Sequence, residues 1–166
     1  KLMGRRYTKE EYLKLFNKIK EKIKNVSIST DIIVRFPGET ESDFNDTLTL
    51  VNTCKFDLAY TFIFSKRVGT TAEKMLDETP KEEKEQRLYK LNELVNKCAL
   101  ENNKKLEGKI VKVLVEGKSD KEGFLMGYTE TNKLVNLKAN EMLIGKIINV
   151  KILEAKTWSL NGEYVK

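Results

Sequence analysis

The feature that most limits what this chain can fold into is a change of rhythm near residues 107–108. Upstream, helix and strand patterns alternate. Thr8 and Glu11 read as a capping box, and Tyr12, Leu13, Phe16, Ile19 and Ile23 follow at helical spacing. Residues 26–34 are β-branched and apolar, as a buried parallel strand should be. The run Phe36-Pro37-Gly38-Glu39 breaks it, and Thr40 opens a second helix with Phe44, Leu48 and Val51 on one face. Residues 58–64 are a second strand and residues 65–71 a loop around Gly69. Thr79-Pro80-Lys81-Glu82 starts a third helix, with Leu88, Leu91, Leu94, Val95 and Cys98 inward as far as about Leu106. Helix–strand–helix–strand–helix implies parallel strands covered by helices. Two strands make no stable parallel sheet alone, so residues 1–106 are expected to be part of a larger α/β sheet or barrel.

Residues 107–166 read as short strands at 109–116, 124–131, 134–137 and 146–154, with a weak fifth at 160–165. Gly108, Gly123, Gly127, Gly145 and Gly162 punctuate them. That pattern predicts a small closed all-β barrel of the OB kind. The expected domains are therefore 1–106 and 107–166.

Composition narrows the function classes. The absence of histidine excludes imidazole acid–base chemistry and histidine-ligated metal. Cys54 and Cys98 are far apart and sit in apolar helical patterns, as buried thiols do. No apolar run approaches the ~20 residues of a membrane span, and the first residues lack the core of a secretory signal. The expectation is a cytoplasmic chain not bound to a membrane; its oligomeric state stays open, a monomer being favoured. A net charge of +6 permits an anionic partner; the tail carries 10 lysines against 8 acids, so it is not the main source of the excess.

The stretch Thr30-Asp31-Ile32-Ile33-Val34-Arg35-Phe36-Pro37-Gly38-Glu39-Thr40-Glu41-Ser42-Asp43-Phe44 resembles a signature of radical-SAM methylthiotransferases, which usually carry glycine in place of Arg35. Phe62-Ile63-Phe64-Ser65-Lys66-Arg67-Val68-Gly69-Thr70 resembles the next strand and loop of that family. The tail resembles its TRAM domain. Gly127-Tyr128-Thr129-Glu130-Thr131-Asn132-Lys133-Leu134-Val135-Asn136 and Ala155-Lys156-Thr157-Trp158-Ser159-Leu160-Asn161-Gly162-Glu163 look like the MiaB branch, which modifies tRNA. The resemblance implies the C-terminal part of a radical-SAM (β/α) barrel followed by an OB-like TRAM barrel. It implies 2-methylthiolation of N6-isopentenyladenosine beside the anticodon, with S-adenosylmethionine and two [4Fe–4S] clusters as cofactors. The tRNA anticodon stem-loop is the implied partner. The family's cluster ligands are three cysteines of an N-terminal domain and a Cys-x-x-x-Cys-x-x-Cys loop; neither pattern occurs here. The chain is thus expected to be a fragment, or the ordered part, of a longer enzyme, inactive alone, with no catalytic or metal-binding residue of its own. The alternative is a non-catalytic RNA-binding module, an α/β scaffold carrying an OB-like domain.

Alternation along the first strand puts Asp31 and Ile33 on one face and Ile32 and Val34 on the other. If the latter pair packs under the helices, Asp31 faces a barrel interior near a strand's C-terminal end, where such folds keep their sites. A carboxylate there accepts from both hydroxyls of a ribose; a second reading has Asp31 capping a loop or pairing with a cation. Ile33 offers an apolar surface to adenine. In enzymes similar to the family these positions touch S-adenosylmethionine. Arg67 follows the second strand on the same side, suited to the cofactor carboxylate, to an RNA phosphate, or to a loop salt bridge. The candidate cofactor-binding set is Asp31, Ile33, Phe64 and Arg67. For Arg35, pointing outward and narrowing the cofactor pocket both stay open, as does any role of Glu39 beyond the turn. In the tail, Lys133, Lys138, Lys146, Lys151 and Lys156 alternate with core residues and read as a solvated face when taken alone. With Tyr128, Asn132, Asn136 and Trp158 they form a candidate RNA surface, in which Tyr128, Asn132, Lys133, Asn136, Lys156 and Trp158 are the contact residues. Trp158 is either a stacking ring or a plug of the barrel.

Overall fold

The computed structural model describes residues 2–77 and 79–165. They form two compact units, Lys1–Asn96 and Lys97–Lys166. Among the described residues, no helix is long and apolar enough to cross a membrane.

The first unit begins with α1 (Lys9–Lys22), opened by the Thr8–Glu11 capping box: the Glu11 N–H donates to Thr8 Oγ1 at 3.3 Å and the Thr8 N–H to Glu11 Oε2 at 2.8 Å. Phe16 is its buried residue and meets Phe56 edge to face, with centroids 5.5 Å apart. Ile23, expected on the apolar face, is 53% exposed, because the helix has ended and Ile23 is its extended C-cap. Strand β1 (Ser29–Val34) starts three residues later than the apolar run suggested; the Ile28 N–H is held instead by Asp57 Oδ2 at 3.1 Å. Helix α2 (Glu41–Cys54) opens on a second capping box, Thr40 with Asp43, and ends on Lys55 in the left-handed region. Strand β2 (Leu58–Ile63) pairs parallel with β1, Ser29 beside Leu58 through to Val34 beside Ile63. A 3-10 turn at Thr71–Lys74 leads to α3 (Lys81–Lys104), which runs across the division between the units. Phe16, Val34, Phe44, Val51, Cys54, Phe56, Leu91 and Val95 are among the buried apolar residues of this unit.

The second unit holds a closed five-stranded barrel in the order β3 (Ile110–Lys118), β4 (Leu125–Thr129), β5 (Leu134–Lys138), β7 (Leu160–Val165), β6 (Ile147–Ala155). Every pairing is antiparallel except β5 with β7. This is the OB-like barrel expected from the short strands. Its core is Val113, Val115, Leu125, Val135, Leu137, Ile148, Val150, Ile152, Ala155 and Leu160. Burying a side chain such as Leu137 or Leu160 contributes ~1.5–3 kcal/mol. Two glycines read as turn punctuation lie inside strands instead. A Cβ at Gly127 would sit 2.1 Å from the Leu114 carbonyl oxygen, and one at Gly162 would sit 2.5 Å from Val150 Cγ1. They are glycines because neighbouring strands come too close for a side chain.

Candidate functional site

The first candidate site is the open face of the β1–β2 sheet. Along both strands exposure alternates, as the pleat requires. Ile32 and Val34 turn toward the covered side, with Thr61 and Ile63 beside them. Asp31 and Ile33 stand on the open side, and the parallel register sets Asp31 beside Tyr60 and Ile33 beside Phe62. Tyr60 is 53% exposed, Phe62 51% and Ile33 38%. The face is therefore a flat apolar and aromatic surface carrying one carboxylate. Tyr60 and Phe62 belong to this face and were not among the expected site residues; alternation from Leu58 was the signal that points to them.

Phe64 and Arg67 lie beyond β2. The Phe64 N–H still donates to the Val34 carbonyl at 2.9 Å, and its half-buried ring meets Phe36 edge to face at 5.1 Å. Arg67 is exposed, and its carbonyl accepts from the Thr70 N–H and hydroxyl.

Arg35 resolves differently from both expectations held open for it. Its φ is +58°, a backbone region where glycine is at ease and other residues are strained. Its side chain is spent on structure. The guanidinium donates to the Glu39 carbonyl at 3.0 Å and to Thr79 Oγ1 at 2.8 Å, and stands 3.1 Å from a Glu83 carboxylate oxygen. Glu39 is structural as well: one carboxylate oxygen accepts from the Arg35 N–H at 3.0 Å and the other from Arg87 at 2.8 Å. Arg87, buried and over the ring of Phe44, also reaches Glu41 and Glu83. The arginines, with Glu39, Glu41 and Glu83, make a clamp that ties the turn after β1 to the start of α3.

The second candidate site is one end of the barrel, formed by the β4–β5 and β6–β7 connections. After β4 the chain turns tightly: the Asn132 N–H donates to the Thr129 carbonyl at 2.9 Å, and exposed Asn132 takes φ +57°. Lys133 Nζ reaches the side-chain carbonyl of Asn103 at 2.9 Å. Between β6 and β7 the Lys156 N–H donates to the Ser159 carbonyl at 2.8 Å, closing a turn with Thr157 and Trp158 at its tip. Trp158 is 70% exposed, so it is not a plug of the barrel. Lys156 is exposed, its ammonium 3.9 Å from Glu154. Asn103, on the last turn of α3 and 5% exposed, donates to the carbonyls of Lys156 at 2.8 Å and Thr157 at 3.1 Å. Glu107 accepts from the Ala155 N–H at 2.9 Å. The structure thus gathers Asn132, Lys133, Lys156 and Trp158 at one end. Tyr128 and Asn136 lie apart on the outer wall of β4 and β5, half-buried, with Asn136 Oδ1 accepting from Ser119 Oγ at 2.7 Å. Asn103 was not expected; the signal was a polar residue where the stripe Leu91, Val95, Ala99 calls for an apolar one. At the opposite end a cleft of about 700 Å³ is lined by Lys118, Ser119, Glu122, Phe124, Asn140 and Glu141, with Lys118 and Glu141 paired at 2.8 Å.

No group of three histidine, cysteine or carboxylate side chains that could hold a metal ion occurs among the described residues. Cys54 and Cys98 are both buried and are not joined in a disulfide. Burial pushes the Cys54 thiol up, against a smaller opposing pull from Lys20.

Residues 104–165 match the family model for the TRAM domain. Along its whole length the chain is 55% identical to a tRNA-2-methylthio-N(6)-dimethylallyladenosine synthase of Bacillus cytotoxicus, 54% to one of Bacillus mycoides and 53% to one of Bacillus cereus. In each case all of this chain aligns with 33% of the relative, so the chain spans about a third of the length of the curated relatives it matches.

Proposed function

We propose that this chain is the C-terminal part of a radical-SAM tRNA methylthiotransferase, which 2-methylthiolates N6-isopentenyladenosine beside the anticodon. The observation that carries this reading is the 53–55% identity that spans the whole chain, both units included, to synthases of this modification. On it, residues 1–106 are the end of the radical-SAM barrel, residues 107–166 are the RNA-binding TRAM domain, and the enzyme is cytoplasmic. The open β1–β2 face supports the barrel assignment, because it is the kind of surface a barrel turns inward.

The residues present suit S-adenosylmethionine. Asp31 would accept the ribose hydroxyls, Ile33 with Phe62 would carry the adenine, and Arg67 would meet a carboxylate. When bound, that cofactor supplies the hydrogen-abstracting deoxyadenosyl group and the methyl group. Phe64, through its contact with Phe36, would shape the rim of the pocket. The iron–sulfur clusters do not fit this chain. Two buried single thiols offer no ligand set. Taken alone, the chain is expected to bind RNA without modifying it, through Asn132, Lys133, Lys156 and Trp158 and, on the barrel wall, Tyr128 and Asn136.

The test uses the full-length protein. Nucleoside analysis of tRNA from cells lacking its gene should show 2-methylthio-N6-isopentenyladenosine lost, and the intact gene should restore it. Asp31→Ala should fail to restore it and should weaken S-adenosylmethionine binding at an unchanged melting temperature, whereas Ile32→Ala should act on the melting temperature. An unchanged modification level in the deletion would overturn the reading. Equal cofactor affinity for Asp31→Ala and wild type would remove Asp31 from the site.

A further inference from the structure

One buried amide touches both loops at the RNA-facing end of the barrel. Asn103 spends its two N–H groups on consecutive carbonyls, Lys156 and Thr157, and its oxygen on Lys133. Buried polar groups are normally matched in this way, but the choice of partners is informative. Those two carbonyls belong to the turn whose tip is Trp158, a large ring left 70% exposed. An exposed indole on an unsupported turn would sample many positions, and freezing it on binding would cost affinity.

We propose that Asn103 is a positioning residue, which fixes the Lys156–Ser159 turn so that the Trp158 ring is presented, ready placed, to an unpaired base of RNA. The inference rests on the reading of this end as an RNA-binding surface. Base–aromatic stacking tolerates any sequence, so the ligand class is a single-stranded nucleotide rather than a particular base. Asn103 touches no RNA; it acts through Trp158.

Trp158 is the only tryptophan of the 166 residues, so its fluorescence reports this turn directly. The experiment titrates the whole chain with a short single-stranded oligoadenylate and follows quenching of Trp158, with affinities taken from a labelled oligonucleotide. Trp158→Ala should weaken binding by about 5- to 150-fold, the range that stacking on one base spans. Asn103→Ala should weaken it by about 2- to 10-fold, the cost of freezing one side chain on binding. It should also raise the accessibility of Trp158 to acrylamide without RNA. Asn103→Leu fills the same volume without hydrogen bonds and serves if the alanine variant does not fold. The deciding measurement is the double-mutant cycle, because a residue that acts through Trp158 has little left to lose once the ring is gone. Asn103→Leu in the Trp158→Ala background should therefore cost much less than in the wild-type background, the remainder being its hold on Lys133 and on the Lys156 turn. An equal loss in both backgrounds, or none in the wild-type background, overturns the inference while the RNA reading stands. Absence of any binding to oligoadenylate and tRNA overturns both.

Discussion

At position 127 an added methyl group has nowhere to go. A Cβ there would lie 2.1 Å from the backbone oxygen of Leu114, which cannot move without parting β3 from β4. At Gly162 the nearest atom is a methyl of Val150 at 2.5 Å, which can give way in part, with the Lys151 carbonyl next at 2.8 Å. Gly127→Ala should therefore cost ~1–3 kcal/mol or more, and Gly162→Ala less, since overpacking is penalised according to what must shift. Urea unfolding of the two variants checks the order, and a neutral Gly127→Ala would contradict the β3–β4 register. Neither requirement was legible in the sequence. A glycine needed for space looks the same as one needed for a turn, and only the neighbouring strand distinguishes them. Arg87 was equally hidden. It ends the charged run that opens α3, and its partners Glu39 and Glu41 come from more than forty positions away. Asp31 and Ile33 were legible as neighbours, because a strand fixes which side chains share a face.

Helices α1 and α2 begin where the sequence says, because a capping box is a local device: cap and third residue satisfy each other whatever the rest of the chain does. The approach to α3 is held by a longer reach. Lys84 Nζ sits 2.6 Å from Asp77 Oδ2, and that hydrogen bond, with a smaller one from the Thr79 N–H, holds the Asp77 carboxyl below its ordinary value. A carboxyl lowered by folding stabilises the fold above its unfolded pKa, and the contribution disappears as pH falls through the folded value. The wild type should thus be more stable than Asp77→Asn at neutral pH. That advantage should shrink from about pH 4 downward. Asp43, lowered by its hydrogen bonds to Thr40, titrates alike in both proteins and cancels in the difference. Chemical denaturation at a series of pH values provides the comparison; a gap constant down to strong acid would show that the Lys84 contact does not contribute.

The change of rhythm near residues 107–108 corresponds to two architectures, a covered parallel pair and a closed barrel, while the compact units divide at Asn96 and Lys97, within α3. The last turn of that helix belongs with the barrel for a reason that periodicity does not reveal: Asn103 and, just beyond, Glu107 bond to barrel backbone. With a net charge of +6, the chain should bind tRNA mainly through phosphates, and affinity should fall as salt rises. Lys156→Ala should lower the slope of that dependence by roughly 1 for every RNA sequence alike. Lys133→Ala should in addition lower the melting temperature, since its ammonium is also a partner of Asn103. Salt-independent binding would assign the contacts to something other than phosphates. The two architectures also differ in what they offer to other molecules of the same chain. A ring of strands has no first and last member, so nothing can be appended to it. A sheet of two strands consists of edge strands alone and, among the described residues, carries an oily face beside them, which makes the α/β half the part from which turbidity should start in concentrated solution.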